Sequence, residues 1–519
     1  MGCDGLVVNE EYSNHHLRVE LSMRNVARSN AGIWVWVILY LVAHGGILLI
    51  PNAIYWDDWV LYRADPIAVI ERFTQQAGTM FYLEGHLHLA MLSAGTWLYK
   101  SFTFVLMFAS GMLLNLILKR HERLSDEVRF FVVLLFLLLP FNMARVALVD
   151  FRYTACYFLF FLAWFLVERH RVLALVLFFL SFNTNSLLVF YAAPILDLMY
   201  RRGHISSWKS ILNFSIKYVD FMALPFIYFV IKIYYFSPTG LYSGYNQGYS
   251  LKNLMYLPLF QLSDLFATSV SIGLTLFLSL CSFLLIRRTF GNATHPQKNP
   301  WSLLALGLFV FILGAFPYWI LGLLPTFGEW SSRHQLLLPL GSALIIVALS
   351  SFDTVGGKTV VISIFVGASL AHNMSSYASL FGDWQKQQQL IGLFSQNSDI
   401  EQAELILIED KSTKLNALNR NYRFYEWNGI LEVAFGNEKH FAIDRSEYER
   451  YMSGYYDTYF SSSYKAGSFQ RDAVSSQVLV KIELIEPDRF SARFQSIFYP
   501  QFNIFVTKLD AAVQPTHLH

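Results

Sequence analysis

Two adjacent carboxylates, Asp57 and Asp58, follow directly on the first long apolar run of the chain and are flanked by Trp56 and Trp59 in the sequence YWDDW. Aromatic walls lower the local dielectric and raise the pKa of a carboxylate, which suits a general base that takes a proton from a hydroxyl. The plain alternative is an interfacial aromatic belt carrying a solvated acidic turn. Asp150 stands two residues before Arg152 in FNMARVALVDFRY, either as a second acid of the same site or as half of a local ion pair. Arg333 and His334 follow Glu329 and Trp330 in FGEWSSRH, at the start of a late apolar helix. A guanidinium forks onto two phosphate oxygens, so Arg333, Arg145 and Arg152 are candidates for binding a phosphate, that of a substrate or of a lipid headgroup. Glu84 lies with His86 and His88 in EGHLH. Two histidines at i and i+2 of a helix point their rings apart, which argues against a shared metal. The chain has no HExxH, no Walker A sequence and no GxGxxG preceded by a strand, so zincin, ATPase and dinucleotide chemistry lack a motif.

The elements that must position these residues are set by composition. Of 519 residues 55% are apolar, 17% aromatic and only 15% charged, and the mean hydropathy is +0.39. Soluble domains hold roughly 25% charged residues, so this is the composition of a membrane protein. Residues 1–30 read as a polar tail, and the run that follows lacks a small-residue cleavage site, so it reads as a retained anchor. At about 20 apolar residues per crossing, spans are expected near 31–50, 101–118, 130–149, 153–168, 172–182, 187–200, 218–236, 262–286, 301–324, 335–350 and 359–377. The short pair 172–182 and 187–200 also fits a re-entrant hairpin.

Lys and Arg then orient the chain. With the N-terminus cytoplasmic, the inner segments hold 17 basic residues and the outer loops and helix ends hold 8, Lys100 and Lys232 among them. This orientation sorts YWDDW, EGHLH, the 141–153 turn, SFNTNS (181–186), SPTGLYSGYNQGYS (237–250) and FGEWSSRH onto the outer side. Ionisable groups gathered at one membrane face mark a functional site. From 378 onward the chain holds 18 of its 37 acidic residues and no long apolar run. AELILIED (403–410), VLVKIELIE (478–486) and FNIFVTKL (502–509) read as strands. The expectation is a polytopic α-helical membrane protein of about eleven spans with a C-terminal extracytoplasmic α+β domain over 378–519.

Other classes are set aside on simple grounds. The 39 basic and 37 acidic residues leave a net charge of +2, so nothing favours nucleic acid as a partner. Cys3, Cys156 and Cys281 are scattered with no CxxC, which speaks against a disulfide framework and a thiolate metal site.

An acidic pair just after the first span, a second acid in the next outer loop, an arginine-led SRHxLLLP helix start and an external C-terminal domain together resemble the GT-C superfamily of integral membrane glycosyltransferases. Within it, the bacterial enzymes that modify or extend O-antigen and related surface glycans of the lipopolysaccharide are the most similar. The resemblance covers the architecture of 31–377, and the WWD sequence of oligosaccharyltransferases is not present. It implies transfer of a sugar from a polyprenyl phosphate or diphosphate carrier, such as an undecaprenyl lipid, to a hydroxyl of a glycan or lipid-linked acceptor. The reaction would take place on the periplasmic face of the bacterial cytoplasmic membrane. Carried onto this chain, the acidic pair maps to Asp57 and Asp58, the second acid to Asp150, and the phosphate-binding residue to Arg333, with His334, Arg152 and Arg145 as further candidates. No organic cofactor is implied, and a divalent cation is left open, since some members of the superfamily use one and others do not. Competing classes are a transporter or flippase of a lipid-linked glycan, an O-antigen polymerase-like enzyme, and an assembly protein whose tail binds partners.

Overall fold

The computed structural model describes residues 32–80, 83–122, 124–203, 207–244, 250–254, 258, 271–290, 299–327, 330–352, 357–417, 420–459, 469–471, 474–485 and 500–509. The polar tail 1–30, Cys3, Glu329, positions 245–249 of the Gly/Tyr/Asn-rich loop and positions 262–270 of one expected span lie outside the described residues. Among the described residues five helices are long and apolar enough to cross a membrane: Gly32–Leu49, Trp97–Leu118, Ile272–Thr289, Pro300–Trp319 and Gly357–Ser395. A sixth span results if Trp208–Lys217 and Val219–Tyr235, bent by 67° where they meet, count as one. Phe151–Leu166, Arg171–Ser181 and Leu338–Ser350 are shorter apolar helices. A largely helical chain with several such helices and a small C-terminal sheet is consistent with a membrane protein.

The expected 130–149 span takes a different form, and the difference builds the site. Its helix starts earlier, at Asp126, where the Ser125 hydroxyl accepts the Val128 amide at 3.3 Å and Asp126 and Glu127 complement the helix dipole. It stops at Leu138, because Leu139 precedes Pro140 and is driven to extended backbone (ψ 136°). Asn142 then takes a left-handed φ of 57°, and Met143–Val146 form one 3-10 turn. The Ala144 amide donates to Ser332 Oγ at 2.9 Å and the Asn142 amide to Gln335 Oε1 at 3.2 Å. The 141–150 turn is thereby sewn to the Trp330–Gln335 turn, almost two hundred residues later.

Close helix contacts fix the scaffold behind these turns. A Cβ on Gly341 would come within 2.4 Å of the Phe311 backbone nitrogen, so Leu338–Ser350 touches Pro300–Trp319 backbone to backbone. At the opposite helix ends, Asp197 pairs with Arg201 at 3.0 Å and His121 at 2.6 Å, and Glu168 pairs with Arg120 at 3.7 Å and Arg202 at 3.2 Å.

The C-terminal sheet has four strands, β1 (Leu405–Asp410), β2 (Phe441–Asp444), β3 (Gln477–Leu484) and β4 (Phe502–Leu509), in the order β2-β1-β3-β4. β1 is parallel to β2 and β3, and β4 is antiparallel to β3. The three strands expected from the sequence all form, and FAID at 441–444 adds the fourth. The helix Phe424–Phe435 makes the crossover from β1 to β2 and ends on Gly436, whose φ of 73° closes the helix as only glycine does cheaply. The 39-residue helix Gly357–Ser395 runs without a break across 377–378 and into this domain. There Asp383 accepts the Tyr422 hydroxyl and the Ala417 amide (2.7 Å), and Lys386 holds Asp410 at 2.5 Å and Asn416 at 2.6 Å. The sheet domain is therefore anchored on a strut that continues from the apolar part, and buried bonds fix its position along that strut.

Candidate functional site

The YWDDW segment is a tight turn whose backbone is strained at one point. Trp56 has a φ of 51°, uncommon for a bulky residue, and the amides of Asp58, Trp59 and Val60 close successive turns onto the carbonyls of Tyr55, Trp56 and Asp57. This arrangement sends the two carboxylates in different directions. Asp58 is 0% exposed. Its Oδ1 accepts the Val149 amide at 3.0 Å, its Oδ2 faces the Tyr55 amide at 3.4 Å, and the Lys100 ammonium acts on it from the second helix. Burial pushes its pKa up to about 7, opposed first by Lys100. Lys100 itself is buried, donates to the Val146 carbonyl and lies 5.2 Å from the Tyr55 ring centre. Lys100, one of the basic residues that ran against the charge asymmetry, thus has a protein partner.

Asp57 points toward the C-terminal domain. Its Oδ1 accepts the Tyr425 hydroxyl at 2.7 Å, and its Oδ2 accepts no hydrogen bond from the described residues. Burial raises its pKa, while the Tyr425 bond and the charges of Arg333 and Arg420 hold it down.

Asp150 stands at the residue before the helix Phe151–Leu166 without a capping bond from its side chain; it is 2% exposed, and neither of its oxygens has a hydrogen-bond partner among the described residues. Burial pushes its pKa well up; Arg333 pulls it down, and the charges of Asp58 and Asp57 add to the rise. Arg333 lies over the Trp330 ring at 5.3 Å and directs Nε at His334 Nε2 across 3.4 Å. Trp330 in turn meets Trp56 edge-on, with ring centres 5.0 Å apart. His334 packs 5.0 Å from the Tyr318 ring, and burial together with Arg333 pushes its pKa down to about 3, so the imidazole is neutral at physiological pH.

The structure thus brings Asp57, Asp58, Asp150, Arg333 and His334 into one electrostatic neighbourhood. It draws two other candidates aside. Arg145 is buried against the first helix, where Nη2 donates to His44 Nδ1 at 2.6 Å while His44 Nε2 bonds the Leu137 carbonyl at 2.9 Å. Arg152 stands 3.5 Å from Glu84, whose other oxygen accepts the Asn183 amide at 2.7 Å. His88 lies 4.0 Å from Glu84 and bonds Tyr99 at 2.8 Å, whereas His86 is exposed. Asp57 and Asp150 are hard oxygen donors, yet among the described residues no group of three His, Cys, Asp or Glu is close enough to hold a metal ion.

Sequence reasoning missed the contribution of the C-terminal domain. Arg420 stacks 5.2 Å from the Trp56 ring and forks onto the buried Glu426 at 2.5 Å through both terminal nitrogens. A Cβ on Gly429 would meet the Trp59 ring at 2.3 Å, so the helix Phe424–Phe435 lays its backbone on that ring. Both tryptophans of YWDDW are buried against protein, contrary to an aromatic belt facing lipid. The one available signal was the alternation of arginine and aromatic residues in RNYRFYEW (420–427), which is unusual for a solvated surface. No protein-family model and no curated protein matches this chain.

Proposed function

We propose that the chain is a membrane glycosyltransferase of GT-C type, which moves a sugar from a polyprenyl phosphate or diphosphate carrier to a hydroxyl of a glycan or lipid-linked acceptor. The observation that carries this reading is the convergence of the three polar turns that bear Asp57, Asp150 and Arg333, joined by the Asp58–Val149 and Ala144–Ser332 hydrogen bonds and by the Trp56–Trp330 contact. That side is proposed to be the outer face of a bacterial cytoplasmic membrane, on the positive-inside distribution of Lys and Arg.

In this reading Asp57 takes the proton of the acceptor hydroxyl through its open Oδ2 as the hydroxyl oxygen bonds to the anomeric carbon. The bond from that carbon to the carrier phosphate oxygen breaks, and its electron pair leaves with the phosphate. Arg333 meets the charge that develops there. Asp150 balances Arg333 from the buried side, and Asp58 keeps the turn in shape. The carrier-linked sugar is already activated, so no nucleotide site is needed.

The test uses the full chain in proteoliposomes with radiolabelled undecaprenyl phosphate hexoses and a glycan acceptor. Asp57→Asn keeps an acceptor for Tyr425 and removes basicity, so transfer should fall roughly a thousandfold with membrane insertion intact. Wild-type transfer in Asp57→Asn, Asp58→Asn and the double variant would sink the assignment.

A further inference from the structure

The Asp57 carboxylate is held by a residue from another part of the chain. Its single hydrogen bond among the described residues comes from Tyr425, 368 positions away, on the first turn of the helix Phe424–Phe435. Tyr425 is itself placed with little freedom. Its ring packs against Phe424 with centres 5.3 Å apart, the helix backbone rests on Trp59 at Gly429, and the Arg420–Glu426 pair locks the helix start over Trp56. Glu426 also accepts the Arg423 amide at 2.9 Å, which closes the helix cap beside Tyr425. A carboxylate on a short turn rotates about its side-chain bonds, and one donor on Oδ1 fixes which oxygen remains open.

We propose that Tyr425 is a positioning residue for Asp57: by donating to Oδ1 it selects Oδ2 as the reacting oxygen and makes the site complete only when the C-terminal domain is docked on YWDDW. This rests on the reading of Asp57 as the base. The geometry also sets a sign. A donor to the ionised form favours ionisation, so removing the hydroxyl makes Asp57 protonate more readily. Tyr425 is a dependable donor, because burial and the Asp57 charge keep its hydroxyl protonated.

The experiment reads Asp57 directly. Full-length protein in detergent is labelled with a water-soluble carbodiimide and amine across a pH series, and modification of the Asp57 peptide is quantified by mass spectrometry. In Tyr425→Phe the labelling midpoint should move up by about one pH unit. With 3-fluorotyrosine at 425, a stronger donor of nearly the same shape, it should move down. In the transfer assay Tyr425→Phe should lower kcat about tenfold to a hundredfold, leave KM for the lipid-linked donor unchanged and carry the acid limb of the rate profile upward. A purely structural contact would lower the rate without moving the limb, and that outcome, or unmoved labelling midpoints in both variants, overturns the proposal. Faster transfer by Tyr425→Phe would also overturn it, by making the contact a latch. Shifted midpoints with no transfer in any form, wild type included, would leave the positioning standing and remove the glycosyltransferase reading.

Discussion

Asp58 Oδ1 accepts the backbone amide of Val149 at 3.0 Å, so the turn after the first helix is stapled to the turn that presents Asp150. Neighbouring carboxylates in YWDDW therefore do different work. Asp58 is enclosed, bonded to backbone and opposed by Lys100, whereas Asp57 keeps one oxygen open and reaches another domain.

Asp58→Ala should behave as a stability lesion. It leaves the buried Val149 amide without its acceptor, a loss on the order of 1–3 kcal/mol. A lower thermal midpoint in detergent, with Asp57→Asn unchanged by the same measure, checks this. Equal midpoints for Asp58→Ala and wild type would deny Asp58 its stapling role.

What the sequence made legible follows a physical line. The acidic pair, Asp150 and Arg333 stood out because charge beside apolar runs is costly and needs a reason. The three strands from 403 onward stood out through β-branched and aromatic runs. The division of labour between Asp57 and Asp58 was illegible, since it depends on the left-handed Trp56 and on an amide 91 positions away. Arg333 was the foremost phosphate candidate and Arg145 a further one, and packing shows how different they are: Arg145 is held by His44, whereas Arg333 acts on two carboxylates. The full 130–149 helix failed for a local reason that the sequence did contain, the Leu139–Pro140 step.

The pH dependence has two signs worth separating. Burial raises the pKa of Asp57 from its ordinary 3.8, so transfer should fall on acidification at a pH above that value, as the base becomes protonated. Stability should run the other way. Asp58, at about 7 in the folded chain and 3.8 unfolded, binds its proton more tightly when folded. Its contribution is therefore full below pH 3.8 and is lost as pH rises through 7. Thermal midpoints measured from pH 4 to 8 should decline more steeply for the wild type than for Asp58→Asn, and parallel curves would contradict the shift.

The side of the membrane has its own test. YWDDW and the sheet domain are in contact, so they share one side, and the proposal that this side is the outer one rests on the distribution of 17 basic residues against 8. Alkaline phosphatase fused after residue 519 should be active in a bacterial host. An inactive fusion with an active cytoplasmic reporter would put the site on the inner face.

Arg333 is expected to act twice, on the leaving phosphate and on the two acids. Removing a charge-assisted contact to a developing phosphate costs about 3 kcal/mol of transition-state stabilisation, or roughly a hundredfold in kcat. Arg333 also holds down the pKa of Asp57 and Asp150, so Arg333→Ala should shift the acid limb of the rate profile upward as well. Lys keeps the charge and loses the planar fork and the stacking on Trp330, so Arg333→Lys should restore the limb's position but only part of kcat. Single-turnover transfer measured across pH for both variants separates the two effects. If neither the amplitude nor the limb moves in Arg333→Ala, the residue is an anchor for lipid headgroups, and Arg152, paired with Glu84, becomes the phosphate candidate to test next.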